Sequence, residues 1–283
     1  MPIEPQMIFK VAAGLYALSL ASTFIFDQRP QVSRLLLVPA LMANAAVVAW
    51  RYWTAWPMLP MYLGPVALPL VLGALAAFLG NASGPDRQRV RRAILILTVI
   101  VCLAAMLFPK DYYIPFIKSQ TPAAHLFFWF GIAGRGCLLV AAAWAMAGLI
   151  VRNGESERGG SGEGQFPPSV SVSPDLPLSD SPHPPVSPSS LSMRWTVWGF
   201  AFWTLSMFSG ELWSYLGWGT PVVWDEPAIT TTMATWFFYV CLMHLHLTGT
   251  WTARGRCAYA AAGALVVLGL SVVPELGPLR WPV

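Results

Sequence analysis

Charged residues are scarce in this sequence. Asp, Glu, Lys and Arg make up 11% of its 283 residues, and only 13 of these are acids. Soft ligands are equally few, with four histidines and four cysteines. The cysteines (Cys102, Cys137, Cys241, Cys257) stand singly in or beside apolar runs, so no CxxC pair is available for a zinc site or a thiol-redox centre. No CxxCH occurs either, which excludes a covalently attached c-type heme on this chain. The opening MPIEPQM lacks the basic stretch and small-residue cleavage site of a removed signal peptide and leads straight into an apolar run.

Apolar surface is what the chain has in excess. It is 56% hydrophobic with a mean hydropathy of +0.57. A soluble domain of this length cannot use that much, so the composition predicts an all-α, multi-pass protein of the cell inner or plasma membrane. A hydrocarbon core of about 30 Å takes roughly 20 residues of helix, and eight segments qualify, at about 8–26, 34–50, 58–80, 91–108, 123–151, 194–214, 229–249 and 257–274. Arginine collects in alternate connections. Arg29 and Arg34 follow the first segment, Arg87, Arg89, Arg91 and Arg92 the third, Arg152, Arg158 and Arg194 the fifth, and Arg254 and Arg256 the seventh. Positive residues mark the cytoplasmic side, which predicts both termini outside. The net charge of +4 thus reads as membrane anchoring and not as nucleic-acid binding. Residues 152–193 are Ser-, Pro- and Gly-rich and predict a disordered cytoplasmic linker between a five-helix portion (1–151) and a three-helix portion (194–283).

The chemistry concentrates between Ser209 and His246. Trp213, Trp218 and Trp224 lie close together, Asp225 follows, and Gly217, Gly219 and Pro221 break any regular period, which predicts a shaped loop. Flat indoles beside a membrane suit a flat, amphipathic, aromatic ligand, and a deep histidine suits a metal within it. Heme is the economical candidate. The stretch resembles the tryptophan-rich WWD segment of the cytochrome c assembly family, the CcsA/ResC-type heme-handling proteins. The match is Trp218-Gly219, four residues, then Trp224-Asp225, continued by Trp236 and His244. Three departures accompany it. Val222 stands where the family pattern has a middle Trp, one extra residue separates Asp225 from Trp236, and the C-terminal GLSVVPELGPLRWPV lacks the second external histidine.

Individual residues carry two readings each. His125 opens the fifth segment, either as an interfacial histidine or as an axial heme ligand; the resemblance implies the second. His244 lies about 15 residues into the seventh segment, roughly 22 Å along it, where an ionisable group is a functional candidate by default. Phe237 and Met233 share its helical face and predict one wall of an apolar slot. His246 points nearly the opposite way and reads as a polar residue near the inner interface. Arg135 sits mid-membrane, at a cost of about 2.5–3.5 kcal/mol on insertion scales, and meets either Glu211 or a heme propionate. Trp50, Trp53, Trp56 and Tyr62 form either an interfacial belt or a second wall of the external site.

The resemblance implies transient, non-covalent binding of heme b and its presentation to the CxxCH thiols of an apocytochrome c. It also implies a ResB/CcsB-type membrane partner and a place in a cytochrome c synthase. The competing readings are a CcmC-like heme exporter or chaperone subunit, and a non-heme transporter or anchor subunit.

Overall fold

A computed structural model describes residues 5–26, 30–60, 62–79, 84–107, 115–116, 119–159, 187–222, 227–249 and 251–273. Eight helices follow one another: α1 (Pro5–Ile25), α2 (Pro30–Ala55), α3 (Gly64–Leu79), α4 (Pro85–Leu107), α5 (Pro122–Gly159), α6 (Pro188–Trp218), α7 (Pro227–Leu247) and α8 (Ala253–Val266). A π-helical turn, Val267–Val272, continues α8. The order and number match the eight apolar segments. Proline opens six of the eight helices, which explains where they begin. At the first helical position its fixed φ is already helical and its missing N–H costs nothing. Where no proline starts α8, Thr252 caps it by accepting from the Gly255 amide at 3.1 Å.

Several helices outrun the apolar segments that announced them. α2 carries Trp50 and Trp53 in its last turns and stops before a cis Trp56–Pro57 bond. α6 continues through Gly217 to Trp218, so the shaped loop begins only at Gly219, whose φ of 79° is the left-handed cap that ends the helix. Part of the 152–193 segment lies within described helices. Backbone helix extends to Gly159 and resumes at Pro188, while 160–186 falls outside the described residues. α1, α2, α4, α5 and α8 with its π turn are long and apolar enough to cross a membrane, whereas α3 has 16 residues. Its lead-in, Leu59–Pro60, pairs antiparallel with Pro115–Phe116, with Leu59 opposite Phe116.

The centre of the bundle is the α5–α6 pair. A Cβ on Gly199 would lie 2.7 Å from Leu138 Cδ2 and 3.0 Å from its backbone nitrogen. One on Gly134 would meet the Trp203 nitrogen at 3.1 Å, and one on Gly210 would meet Phe127 Cδ2 at 2.7 Å. Ser206 Oγ donates to the Phe127 carbonyl at 2.7 Å and Ser192 Oγ to the Ala141 carbonyl at 2.9 Å. These contacts fall in a steady antiparallel register along both helices. Small residues let the backbones approach, and dispersion plus short side-chain hydrogen bonds hold them in surroundings where burial alone drives little association. Gly199→Ala is expected to destabilise the protein by about 1–3 kcal/mol through overpacking. Gly14→Ala, on α1 where nothing lies within 4 Å, should be neutral or stabilising. Thermal unfolding of both variants in detergent checks this, and equal behaviour would refute the close-packed register.

At the other end of the early helices, arginines are tied to hydroxyls and carbonyls. Arg91 Nη2 donates to Ser33 Oγ at 2.9 Å, Arg92 Nη2 donates to the Thr23 carbonyl at 2.7 Å, and Ser19 Oγ donates to the Ser33 carbonyl at 2.8 Å. α1, α2 and α4 are therefore pinned together where the sequence concentrates its basic residues. In α3, Pro69 interrupts the ladder, and the Asn44 amide of α2 bridges it by donating to the Val66 carbonyl and accepting from the Leu70 amide, both at 3.1 Å.

Candidate functional site

The first turns of α5 carry two aromatic clusters, one on each side. On one side His125 and Trp129, four residues apart, meet the end of α2. The Tyr52 hydroxyl lies 2.6 Å from His125 Nδ1, and His125 Nε2 lies 3.0 Å from the Pro57 carbonyl oxygen. A carbonyl only accepts, so Nε2 carries the proton and Nδ1 accepts from the phenol. Ring centroids sit 5.4 Å (Trp56–His125), 5.6 Å (Tyr52–His125) and 5.9 Å (Tyr52–Trp129) apart. Trp56 thus belongs to the His125 cluster, while Trp50 and Trp53 are exposed.

Two residues on, about 200° around the helix, Phe127 faces the tryptophan end of α6. Its ring lies 5.5 Å from Trp213, which in turn meets Trp218 edge-on at 5.4 Å. Trp218 remains 37% exposed. Behind these rings a cleft between α5, α6 and α7 has an accessible volume of about 30 Å³, walled by Phe127, Met207, Val222 and Met233 with Glu211 at its edge. Small-molecule pockets run to about 300–1,000 Å³, so no porphyrin enters there. Trp224 and Asp225 lie outside the described residues.

The remaining sequence candidates separate. Trp236 is a packing bolt and not a wall of the tryptophan loop. Its indole donates to Thr204 Oγ1 at 3.0 Å and stacks on Phe200, while Trp203 donates to the Thr232 carbonyl at 3.2 Å; together they fasten α7 to α6. Arg135 is 7% exposed and lies over the Trp203 ring at 5.5 Å. The Arg135–Glu211 alternative does not form, because Glu211 is eight residues beyond Trp203 on α6, about 12 Å further along. Sequence gave no sign of Trp203 as the partner. A cation over an indole face offsets part of the burial cost.

The two α7 histidines diverge as their spacing requires. His246 turns inward, into a cleft shared with α6 and α8. His244 is exposed and occupies the last turn, about 26 Å from the start of α7. Phe237 shares its face and is 56% exposed, so the wall expected of these residues is on the outer surface of the bundle. Met233 instead faces the small cleft behind Trp213. His125 and His244 are therefore at opposite ends of the molecule and do not act on one site together.

An eight-helix bundle with five bilayer-length apolar helices, fastened by small-residue packing, is a polytopic all-α membrane protein. The chain belongs to the cytochrome C assembly protein family, which it matches over residues 18–270. Curated relatives agree. A cytochrome c biogenesis protein CcsA of Prochlorococcus marinus (strain MIT 9312) is 37% identical over 79 residues, 28% of this chain and 25% of the relative. The Chlorella vulgaris CcsA is 38% identical over 78 residues, 28% of this chain and 24% of the relative. That of Synechococcus sp. (strain CC9902) is 24% identical over 255 residues, 85% of this chain and 82% of the relative. The first of these matches thus spans about a quarter of its relative, whereas the third spans most of both chains. No solved structure matches the chain.

Tested for a heme iron, the donors fit in kind. His125 has one nitrogen held by the Tyr52 phenol and the other by the Pro57 carbonyl, so ligation through Nε2 requires it to release Pro57 and to switch tautomer, with Nδ1–H then donating to the phenol oxygen as in metal-binding histidines. His244 is unobstructed on a face that this chain alone does not close. Tyr52, which sequence reasoning passed over, follows from the structure as the residue that positions His125. Tyr52→Phe is expected to raise the rate of diethyl pyrocarbonate labelling at His125 about two- to tenfold, the loss of one hydrogen bond. Mass spectrometry reads the modification, and an unchanged rate would reject the bond.

Proposed function

We propose that the chain handles heme during c-type cytochrome biogenesis, receiving it at α7 and presenting it at the tryptophan end for attachment to an apocytochrome. The observation that carries this reading is the placement, within a chain matched to the cytochrome C assembly family over residues 18–270, of one imidazole at each end of the bundle in different company. His125 sits in an aromatic box with its tautomer fixed by Tyr52 and Pro57. His244 stands on an exposed apolar face beside Phe237 and Ala234. Arginines cluster at the His244 end, at the starts of α2, α4, α6 and α8, so the positive-inside rule supports placing the tryptophan end outside.

Each end then has a distinct task. His244 and Phe237 offer a nitrogen donor and an apolar surface at the inner half of the bilayer, with the opposite wall supplied by a ResB/CcsB-type membrane partner. At the tryptophan end, Trp213 and Trp218 offer indole faces at the surface, and His125 Nε2 offers a second donor once it releases the Pro57 carbonyl and its proton passes to Nδ1, which then donates to the Tyr52 oxygen. Bound heme supplies the vinyl groups to which the CxxCH thiols of the apocytochrome add. The chain's own contribution is placement, which lowers the barrier by holding reactants in orientation. Any further donor to the iron would come from the partner or from the apocytochrome.

Purified chain, alone and co-expressed with a ResB-type protein in heme-replete cells, tests the reading by optical spectroscopy. Near-stoichiometric heme is expected with the partner and much less without it, because the His244 face is open. His244→Ala should lower the occupancy, and His125→Ala should alter the Soret band while sparing the His244-dependent fraction. Heme-free protein in the presence of the partner would sink the proposal. So would a spectrum indifferent to both substitutions.

A further inference from the structure

A second cleft lies at the arginine end, far from the tryptophan loop, between the first turn of α6, the last turn of α7 and the first turns of α8. Its accessible volume is about 150 Å³, five times the liquid share of one water molecule. His246, Arg256 and the hydroxyl-bearing Ser189 and Ser190 line one part of it, and Met193 and Leu242 another. We infer that this cleft binds a phosphate group, carried in the membrane by an anionic phospholipid whose glycerol and upper acyl carbons lie against Met193 and Leu242.

The first argument is charge. α6 and α8 both direct their N-termini to this end, where helix dipoles favour anions. Yet the first turn of α8 holds Arg254 and Arg256, cations placed against its dipole. Arg194 stands one turn into α6. Among the described residues no carboxylate forms an ion pair with them. Among the described residues from 187 to 273 the one acid is Glu211, about 33 Å up α6 from Ser189. An oxyanion in the cleft would meet Arg256, the arginine that lines it.

The second argument is hydrogen bonding. His246 Nδ1 is shut off from solvent and has no partner, so its imidazole is not committed to the fold. The ring's other nitrogen is then the one left to meet a ligand in the cleft that His246 lines. Arg256 uses Nη1 on the Trp251 carbonyl at 2.9 Å, a bond that aims the guanidinium and leaves the rest of its five-donor fork for a phosphate. Ser187 caps the Ser190 amide at 3.3 Å, and Ser189 Oγ bonds the capping Ser187 Oγ at 3.0 Å, which holds a hydroxyl at the mouth.

The third argument is the mixed lining. A free phosphate has no use for Met193 and Leu242, whereas a phospholipid presents an anionic head joined to an apolar stem. Basic residues near the membrane surface add about 1 kcal/mol each toward anionic lipid.

The test uses the full chain in nanodiscs of phosphatidylcholine, with or without phosphatidylglycerol, and in detergent with added inorganic phosphate. Thermal unfolding and retained lipid by native mass spectrometry are the readouts. Phosphatidylglycerol is expected to raise the unfolding temperature and to be retained. Arg256→Gln and His246→Ala should each weaken retention about tenfold, the loss of one charge-assisted hydrogen bond. Arg89→Gln, which removes a surface arginine of α4, should leave it intact. Ser189→Glu guards against misfolding as an explanation. A carboxylate in the first turn of α6 suits the helix dipole, so that variant stays at least as stable without lipid but loses the lipid-dependent shift. Stabilisation by inorganic phosphate and not by phosphatidylglycerol would overturn the lipid assignment. Equal retention by wild type, Arg256→Gln, His246→Ala and Ser189→Glu would overturn the site.

Discussion

The rest of the structure depends on how closely α5 and α6 approach. Gly134 lies under Trp203, Gly199 under Leu138 and Gly210 under Phe127, so each helix keys into the other at successive turns. In a membrane, lipid solvates apolar side chains as well as other helices do, and only backbone proximity with its dispersion and hydrogen bonds makes such a pair cohere. That proximity has two consequences at a distance. It sets the rotation of α5, so His125 and Trp129 face α2 while Phe127 faces Trp213. It also leaves Arg135, flanked by Gly134 and Gly136, nowhere to go but over Trp203, at 5.5 Å.

α7 is held differently. Its inward face is Thr232, Thr235, Tyr239 and Leu242, all buried, and its fastenings are indole and hydroxyl bonds from Trp203, Trp236 and Tyr259. Thr230, Ala234, Phe237, Cys241 and His244 fall on the other side at helical spacing and are exposed. Under the proposed function this face, with an imidazole, a thiol and an aromatic ring, is the one a partner protein would cover. The cleft of about 30 Å³ behind Trp213 is by itself too small to be a slot for a macrocycle.

Much of this was legible in the sequence, for reasons that differ by level. Helix number followed from apolar length, and helix starts from prolines at Pro5, Pro30, Pro85, Pro122, Pro188 and Pro227, because both are local properties of the backbone. Relative directions were legible too. A two-residue spacing separates His244 from His246 by about 200°, and they do face opposite ways. Which of the two faces inward was not legible, since a lone helix carries no information on where its neighbours stand. Trp236 illustrates the same limit. Its place in a tryptophan-rich run associated it with the external loop, but α6 offered Thr204 as a hydrogen-bond acceptor at mid-helix. Gly217 hid the true end of α6, because a glycine inside a helix costs only about 1 kcal/mol and packing overrides it.

The two histidine environments at opposite ends of the bundle also constrain the heme handling proposed for the chain. His125 and His244 cannot hold one iron between them, since about the length of a transmembrane helix separates them. Any passage from one to the other therefore runs along an outer surface and not through the interior, where α5 and α6 leave no room. The exposed stripe of α7 is continuous from His244 to Thr230, at the edge of the tryptophan end. A partner laid against that stripe would at once complete the inner site and roof a path to the outer one. Under the proposed function, the outward rotation of α7, fixed by Trp203 and Trp236, is what leaves that stripe open to a partner.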